Sequence, residues 1–197
     1  AKILRLDSDQ IGYFKNYSIY DSEDQLNLVK VSMEFLSLSQ ELYPANLMRA
    51  KIGKAKNTFQ SPGQMKQTAD NPIDEKAAIV YEEYERRLKK SNAFDFDDLI
   101  IKPIELFHAH PEVLAFYQEK FRYIHIDEYQ DTNRAQYILM KMLADKSKNI
   151  CVVGDDDQSI YGWRHADIGN ILNFEKDYPN AEVFKLEQNY RSTRNIL

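Results

Sequence analysis

One stretch limits what this chain can fold into more than any other: Tyr123-Ile124-His125-Ile126-Asp127-Glu128-Tyr129-Gln130-Asp131, a short β-type apolar run that ends in two adjacent carboxylates. The arrangement suits the carboxyl end of a buried parallel strand, where backbone stops and ligands bind. There Asp127 is a candidate to hold a Mg²⁺ that bridges phosphate oxygens, and Glu128 to orient or deprotonate an attacking water. An Asp-Glu pair alone also describes an ordinary solvated strand end, so the following segments decide between the two.

A second strand-like run, Ile150-Cys151-Val152-Val153, exits through Gly154-Asp155-Asp156-Asp157-Gln158. Two buried strands thereby end in acid and amide groups on one expected edge, and Gln158 is able to donate to a terminal phosphate. The loop continues into Tyr161, Gly162, Trp163 and Arg164. Aromatic faces for bases and a cation for the backbone are what single-stranded nucleic acid requires. The alternative for Trp163, the only tryptophan, is a core anchor; Gly162 and Arg164 beside it favour an exposed loop. A third strand-like run at 182–187 leads into Gln188-Asn189-Tyr190-Arg191-Ser192-Thr193. Tyr190 is a candidate to stack on a nucleotide base, and Arg191 to neutralise charge on a γ-phosphate.

These three segments, with Phe94-Asp95-Phe96-Asp97-Asp98-Leu99 ahead of them, resemble the UvrD/PcrA/Rep family of superfamily 1 DNA helicases. The match is close from Phe94 onward. Before that it rests on Tyr17-Ser18-Ile19-Tyr20-Asp21 and Asp24-Gln25, which are similar to the entry of the family's helical accessory subdomain. By resemblance, Asp127 holds Mg²⁺, Glu128 is the hydrolytic base, and Gln158 senses the γ-phosphate of ATP. Tyr161 and Trp163 stack on single-stranded bases with Arg164 beside them. Tyr190 and Arg191 are the base-stacking and phosphate-contacting residues of a second motor domain.

The fold implied is α/β: a partial RecA-like parallel sheet with flanking helices plus a mainly helical accessory subdomain. Its expected divisions are 1–16, the end of a first-motor-domain segment; 17–90, the accessory subdomain; 91–187, the C-terminal half of the RecA-like first motor domain; and 188–197, the start of the second. The activity implied for the parent protein is Mg-ATP-driven translocation on single-stranded DNA, 3′ to 5′, with unwinding at junctions of single and double strand. The compartment implied is the cytoplasm, at the nucleoid.

One residue departs from the family pattern. His165 stands where a Gly usually follows the Trp-Arg pair, adding bulk to the DNA path and a group that titrates near neutral pH. An absence weighs more: no Gly-x-x-x-x-Gly-Lys-[Ser/Thr] phosphate loop occurs. The nearest fragment, Gly53-Lys54-Ala55, has Met48 at the first Gly position and no hydroxyl for Mg²⁺, and its surroundings read as a basic helix. The expectation is an internal helicase fragment without ATPase activity of its own.

A chain of 197 residues suffices for one or two domains with a real core, and it shows neither a long apolar run nor a secretory leader. Its net charge of −5 is unlike a dedicated nucleic-acid clamp, yet local basic stripes can hold DNA on an acidic protein. Cys151, the single cysteine, reads as a small core residue in a buried strand. His108 and His110, two apart on a predicted helix, point to different faces and form no metal site.

Along the chain, Ser22 and Gln25 stand at capping-box spacing, followed by a packing face of Leu26, Val29, Met33 and Leu36. Pro44 starts a helix carrying Arg49, Lys51, Lys54 and Lys56, read as a solvated face with duplex contact as the minority alternative. Residues 60–72 read as an exposed loop. Asp74 opens a long helix to about Lys90 with Ile79 and Leu88 inward and Glu82, Glu83, Arg86 and Arg87 outward. Asp95, Asp97 and Asp98 suit helix capping and a subdomain contact better than metal binding. Helices near 100–108, 111–120 and 134–144 alternate with the strands, which implies a parallel sheet with right-handed crossovers.

In the resembled fold a strand carrying the phosphate loop lies between the runs ending at Gly154 and near Glu187. Without it the sheet is expected to close up incorrectly, to leave its last strand detached, or to recruit a second copy of the chain. The functional alternative to a motor piece is a non-catalytic single-stranded nucleic-acid-binding or scaffold module. A nuclease built on Asp155, Asp156 and Asp157 is weaker, because consecutive side chains point apart.

Overall fold

The computed structural model describes residues 1–162, 165–193 and 195–196. Helix α1 (Lys2–Asp7) and a 3₁₀ turn lead to strand β1 (Ser18–Tyr20). Four helices follow: α2 (Ser22–Phe35), α3 (Ala45–Asn57), α4 (Pro62–Gln67) and α5 (Pro72–Lys90). Strand β2 (Ala93–Asp95) then returns beside β1 in parallel register, Ser18 opposite Ala93 and Tyr20 opposite Asp95. Both ends of the four-helix insertion are thus fixed by one small sheet. Helices α6 (Asp98–Ala109) and α7 (Pro111–Lys120) precede β3 (Ile124–Ile126), α8 (Arg134–Ala144) and β4 (Ile150–Val152). Strand β3 pairs in parallel with β4, Ile126 opposite Val152, and the short α9 (Gly169–Leu172) and α10 (Phe174–Asp177) follow.

The insertion has a core of its own. Val29 and Met33 from α2, Met48 and Ile52 from α3, and Val80, Tyr84 and Leu88 from α5 bury together. The expected face of α2 is realised, but its N-cap is Asp21, paired with Asp24 in a capping box, one residue earlier than the Ser22 and Gln25 spacing indicates. Residues 60–72 are not wholly loop: Ser61 caps α4 through Gln64, and Met65 is buried. Pro and Gly at the start of that segment mimic a turn, whereas Pro suits the first helical position. Helix α5 begins at Pro72 with Asn71 as its cap; Glu83, expected outward, is buried and accepts from both Arg86 (2.7 Å) and Arg87 (2.6 Å).

Lys56 is the largest correction to the basic stripe. It is 1% exposed, with Nζ 2.7 Å from Glu85 and 2.8 Å from both Asp95 and Asp98. Asp98 in turn donates its backbone N–H to Asp95 Oδ1 at 2.9 Å, so the acid run ties the first residue of α6 to β2 and grips α3, although Asp97 at the N-cap makes no side-chain capping bond. Burial pushes the Asp98 carboxyl well up against the pull of Lys56, and Lys56 itself is held charged by the acids around it.

Two strand expectations fail. Residues 182–187 form no strand, and Val183, Phe184 and Leu186 are exposed. A lone β-type run gains no ladder hydrogen bonds, and the described residues offer it no neighbouring strand. Nor are β3 and β4 buried on both faces. Ile126, Ile150 and Val152 pack against Tyr137 and Met140 of α8, while His125 and its partner in register, Cys151, face outward. Cys151 is therefore exposed, not a core residue.

Candidate functional site

Strands β3 and β4 end side by side. Val153 N–H donates to Ile126 O (2.8 Å) and Tyr129 N–H to Val153 O (2.9 Å), carrying the pairing one step past each strand. Asp127 and Glu128 emerge there, both exposed. Glu128 adopts a left-handed backbone (φ 49°), which turns the chain sharply into a 3₁₀ turn, and its N–H donates to Asp127 Oδ1 at 2.9 Å. That bond engages one Asp127 oxygen. A hard carboxylate oxygen of this kind fits Mg²⁺, which takes one or two protein carboxylates and fills its remaining positions with water and phosphate.

Gln130, which sequence reasoning passed over, joins the two strand ends. It is 1% exposed; its Nε2 donates to Glu128 Oε2 at 2.8 Å, and its Oε1 accepts from Asp155 N–H at 3.0 Å. Gly154 lies so close that a Cβ there would stand 2.6 Å from Gln130 Oε1 and 2.9 Å from Ile171 Cδ1. A side chain at 154 would have to displace Gln130 or Ile171. Asp155 then caps the turn of 156–158, and its Oδ2 accepts from Gln158 Nε2 at 2.5 Å. Asp127, Glu128, Asp155 and Gln158 thus belong to one hydrogen-bonded edge. A pocket of about 360 Å³ opens beside it, lined in part by Asp127, Glu128, Asp131 and Gln136.

Tyr161 belongs to a second feature, a wider cleft of about 940 Å³ between α3 and the start of α8. Arg49, Lys51 and Lys54 line one wall; Asn133, Gln136, Tyr161 and His165 line the other. Its floor is a polar chain in which Asn57 Nδ2 donates to Asp97 Oδ1 (3.1 Å) and Asn133 Nδ2 donates to Asn57 Oδ1. The fragment Gly53-Lys54-Ala55 sits within α3, a helix and not a phosphate loop. Trp163 and Arg164, expected beside Tyr161, lie outside the described residues. Tyr190 (91% exposed) and Arg191 line neither cleft; the backbone N–H groups of Arg191 and Ser192 both donate to Asn189 Oδ1 at 2.9 Å.

A parallel strand pair with an Asp-Glu exit thus stands beside a cleft whose basic wall is a helix of the insertion. The chain belongs to the UvrD/REP helicase N-terminal domain family, whose model matches residues 1–179. Over all 197 residues it is 52% identical to the ATP-dependent DNA helicase PcrA of Bacillus subtilis (strain 168). It is 50% identical over the same length to the proteins of that name from Staphylococcus epidermidis (strain ATCC 12228 / FDA PCI 1200) and Staphylococcus aureus (strain Mu50 / ATCC 700699). In each case the chain spans 27% of the relative's length. Among the described residues no helix is long and apolar enough to cross a membrane.

Proposed function

We propose that this chain is the carboxylate-bearing and DNA-facing part of an ATP-driven motor that moves along single-stranded DNA, 3′ to 5′, and opens duplex at junctions. One observation carries the reading: Gln130 ties Glu128 to the loop that holds Gln158, so both strand exits present their polar groups on a single edge. Mg-ATP, when bound, supplies the phosphoryl group whose charge the metal offsets. Asp127 offers the metal an oxygen; Glu128 accepts the proton of the attacking water; Gln158 donates toward the terminal phosphate; Arg191 and Tyr190 approach the nucleotide from a second domain. Residues 17–90 are the accessory subdomain and 91–187 part of the first motor domain, a division supported by the separate core of α2–α5. The proposed compartment is the cytoplasm, at the nucleoid.

Nucleic acid enters the α3–α8 cleft, where Arg49 and Lys54 meet phosphates and Tyr161 takes a base; in this reading Trp163 stacks on a further base and Arg164 offers the backbone a cation. With no phosphate loop in these 197 residues, the chain alone is expected to bind DNA without turning over ATP. The test is a titration with single-stranded and duplex oligonucleotides, followed by the fluorescence of Trp163. Salt-dependent quenching that favours single strands is expected, and equal or absent responses to both would defeat the reading. Repeating it with forked duplexes and across protein concentrations separates junction preference and self-association from single-strand binding.

A further inference from the structure

His165 occupies an unusual place. Its backbone lies in the left-handed region (φ 66°), which favours glycine and is costly for a residue with a Cβ. The turn is nonetheless fixed: His165 N–H donates to Gly162 O at 2.9 Å, and just beyond it Asp167 N–H and Asn170 Nδ2 both donate to Thr132 O at 2.9 and 3.0 Å. The half-buried side chain lines the α3–α8 cleft opposite Arg49, Lys51 and Lys54 of α3.

We propose that His165 is a phosphate contact for single-stranded nucleic acid in this cleft, and that it makes binding proton-linked. The inference rests on the proposed function and adds to it a residue and a mode of regulation. Burial first and the Lys54 ammonium second hold the imidazole below its ordinary range, so near neutral pH it is uncharged. The charged and titratable groups facing it across the cleft are Arg49, Lys51 and Lys54 on α3, Asp97 before α6, Asp131 before α8, and Tyr161 on its own loop. Lys51 is already paired with Asp74. Asp97 is pushed up, by burial first and then by Asp95, and its Oδ1 already accepts from Asn57 Nδ2. An incoming phosphate reverses the balance: it offsets the cations of α3 and favours imidazolium, which takes its proton from solvent and donates a hydrogen bond to a phosphate oxygen.

The experiment measures the affinity of the full chain for an oligothymidylate between pH 8 and pH 5.5 at several salt concentrations, for the native protein and His165→Gly. Glycine suits the left-handed backbone, so the variant keeps the turn. Native affinity should rise as pH falls, about tenfold for a one-unit coupling. Its salt dependence should also steepen by about 0.7 in logarithmic slope, one phosphate's share on a single strand. His165→Gly should show a flattened pH profile, its affinity falling further below that of the native chain as pH decreases. A nuclear magnetic resonance titration of the imidazoles should show the His165 pKa rising when DNA is added. Binding that keeps its full pH dependence in His165→Gly, or a His165 pKa unmoved by DNA, overturns the inference and leaves the proposed function intact. A native chain that binds no oligonucleotide at any pH removes both.

Discussion

At the scale of single residues, side chains with no chemistry of their own organise the site. Gln130 neither binds metal nor moves a proton, yet it fixes the distance between Glu128 and the Asp155 turn through two hydrogen bonds. Replacing it with Ala leaves the Asp155 N–H without its acceptor, a change that costs on the order of 1–3 kcal/mol. Gln130→Ala should therefore lower the unfolding midpoint in urea and speed amide hydrogen exchange at 154–158, with exchange elsewhere in the chain little altered. Protection at 154–158 equal to the native level would show that the clamp is dispensable. Nothing in the sequence singles Gln130 out, because its role depends on two strand ends brought together in space. The placement of Asp127, Glu128 and Gln158 past the strand ends was legible, since they follow apolar runs in the linear pattern.

At the scale of elements, the contact between α3 and the strand β2–helix α6 corner is an ion cluster and not an apolar seam. Lys56 faces Glu85, Asp95 and Asp98, while Lys102 reaches Glu85 at 3.0 Å. Removing one member of such a buried set leaves charge without compensation, so Lys56→Ala should destabilise the fold by about 3–5 kcal/mol. The penalty carries a pH signature. The two lysines hold the Glu85 carboxyl down to about 2, against the desolvation that opposes them. Its stabilising contribution is therefore complete above the ordinary carboxylate range near 4.5 and is lost as pH falls from there toward 2. In Lys56→Ala the orphaned acids gain by taking up protons, so the gap between variant and native chain should narrow from pH 7 to pH 4. Urea denaturation at both values measures it, and a gap that stays constant or widens would refute the cluster's electrostatic role. The inward turn of Lys56 was readable in principle: Met48, Ile52 and Lys56 recur every four residues, one face of α3, and the first two are core. Grouping the lysines by charge instead of by face concealed it. Helix α8 and strands β3 and β4 were legible because their periodicity is local, whereas the strand expected at 182–187 depends on a pairing partner that no local pattern supplies.

At the scale of the whole molecule, the four-helix insertion bracketed by β1 and β2 sets a basic helix face across from the start of α8 and the loop of Tyr161 and His165. In the proposed function, single-stranded DNA occupies this cleft. Photo-crosslinking tests it most directly: an oligothymidylate carrying 5-iodouracil is irradiated with the chain, and the adducts are mapped by mass spectrometry of the peptides. Adducts confined to 45–57 and 158–167, lost in a duplex and reduced by Lys54→Glu, are the expected result. Adducts spread over the outer faces of α5 and α7, or formed equally with duplex, would contradict it.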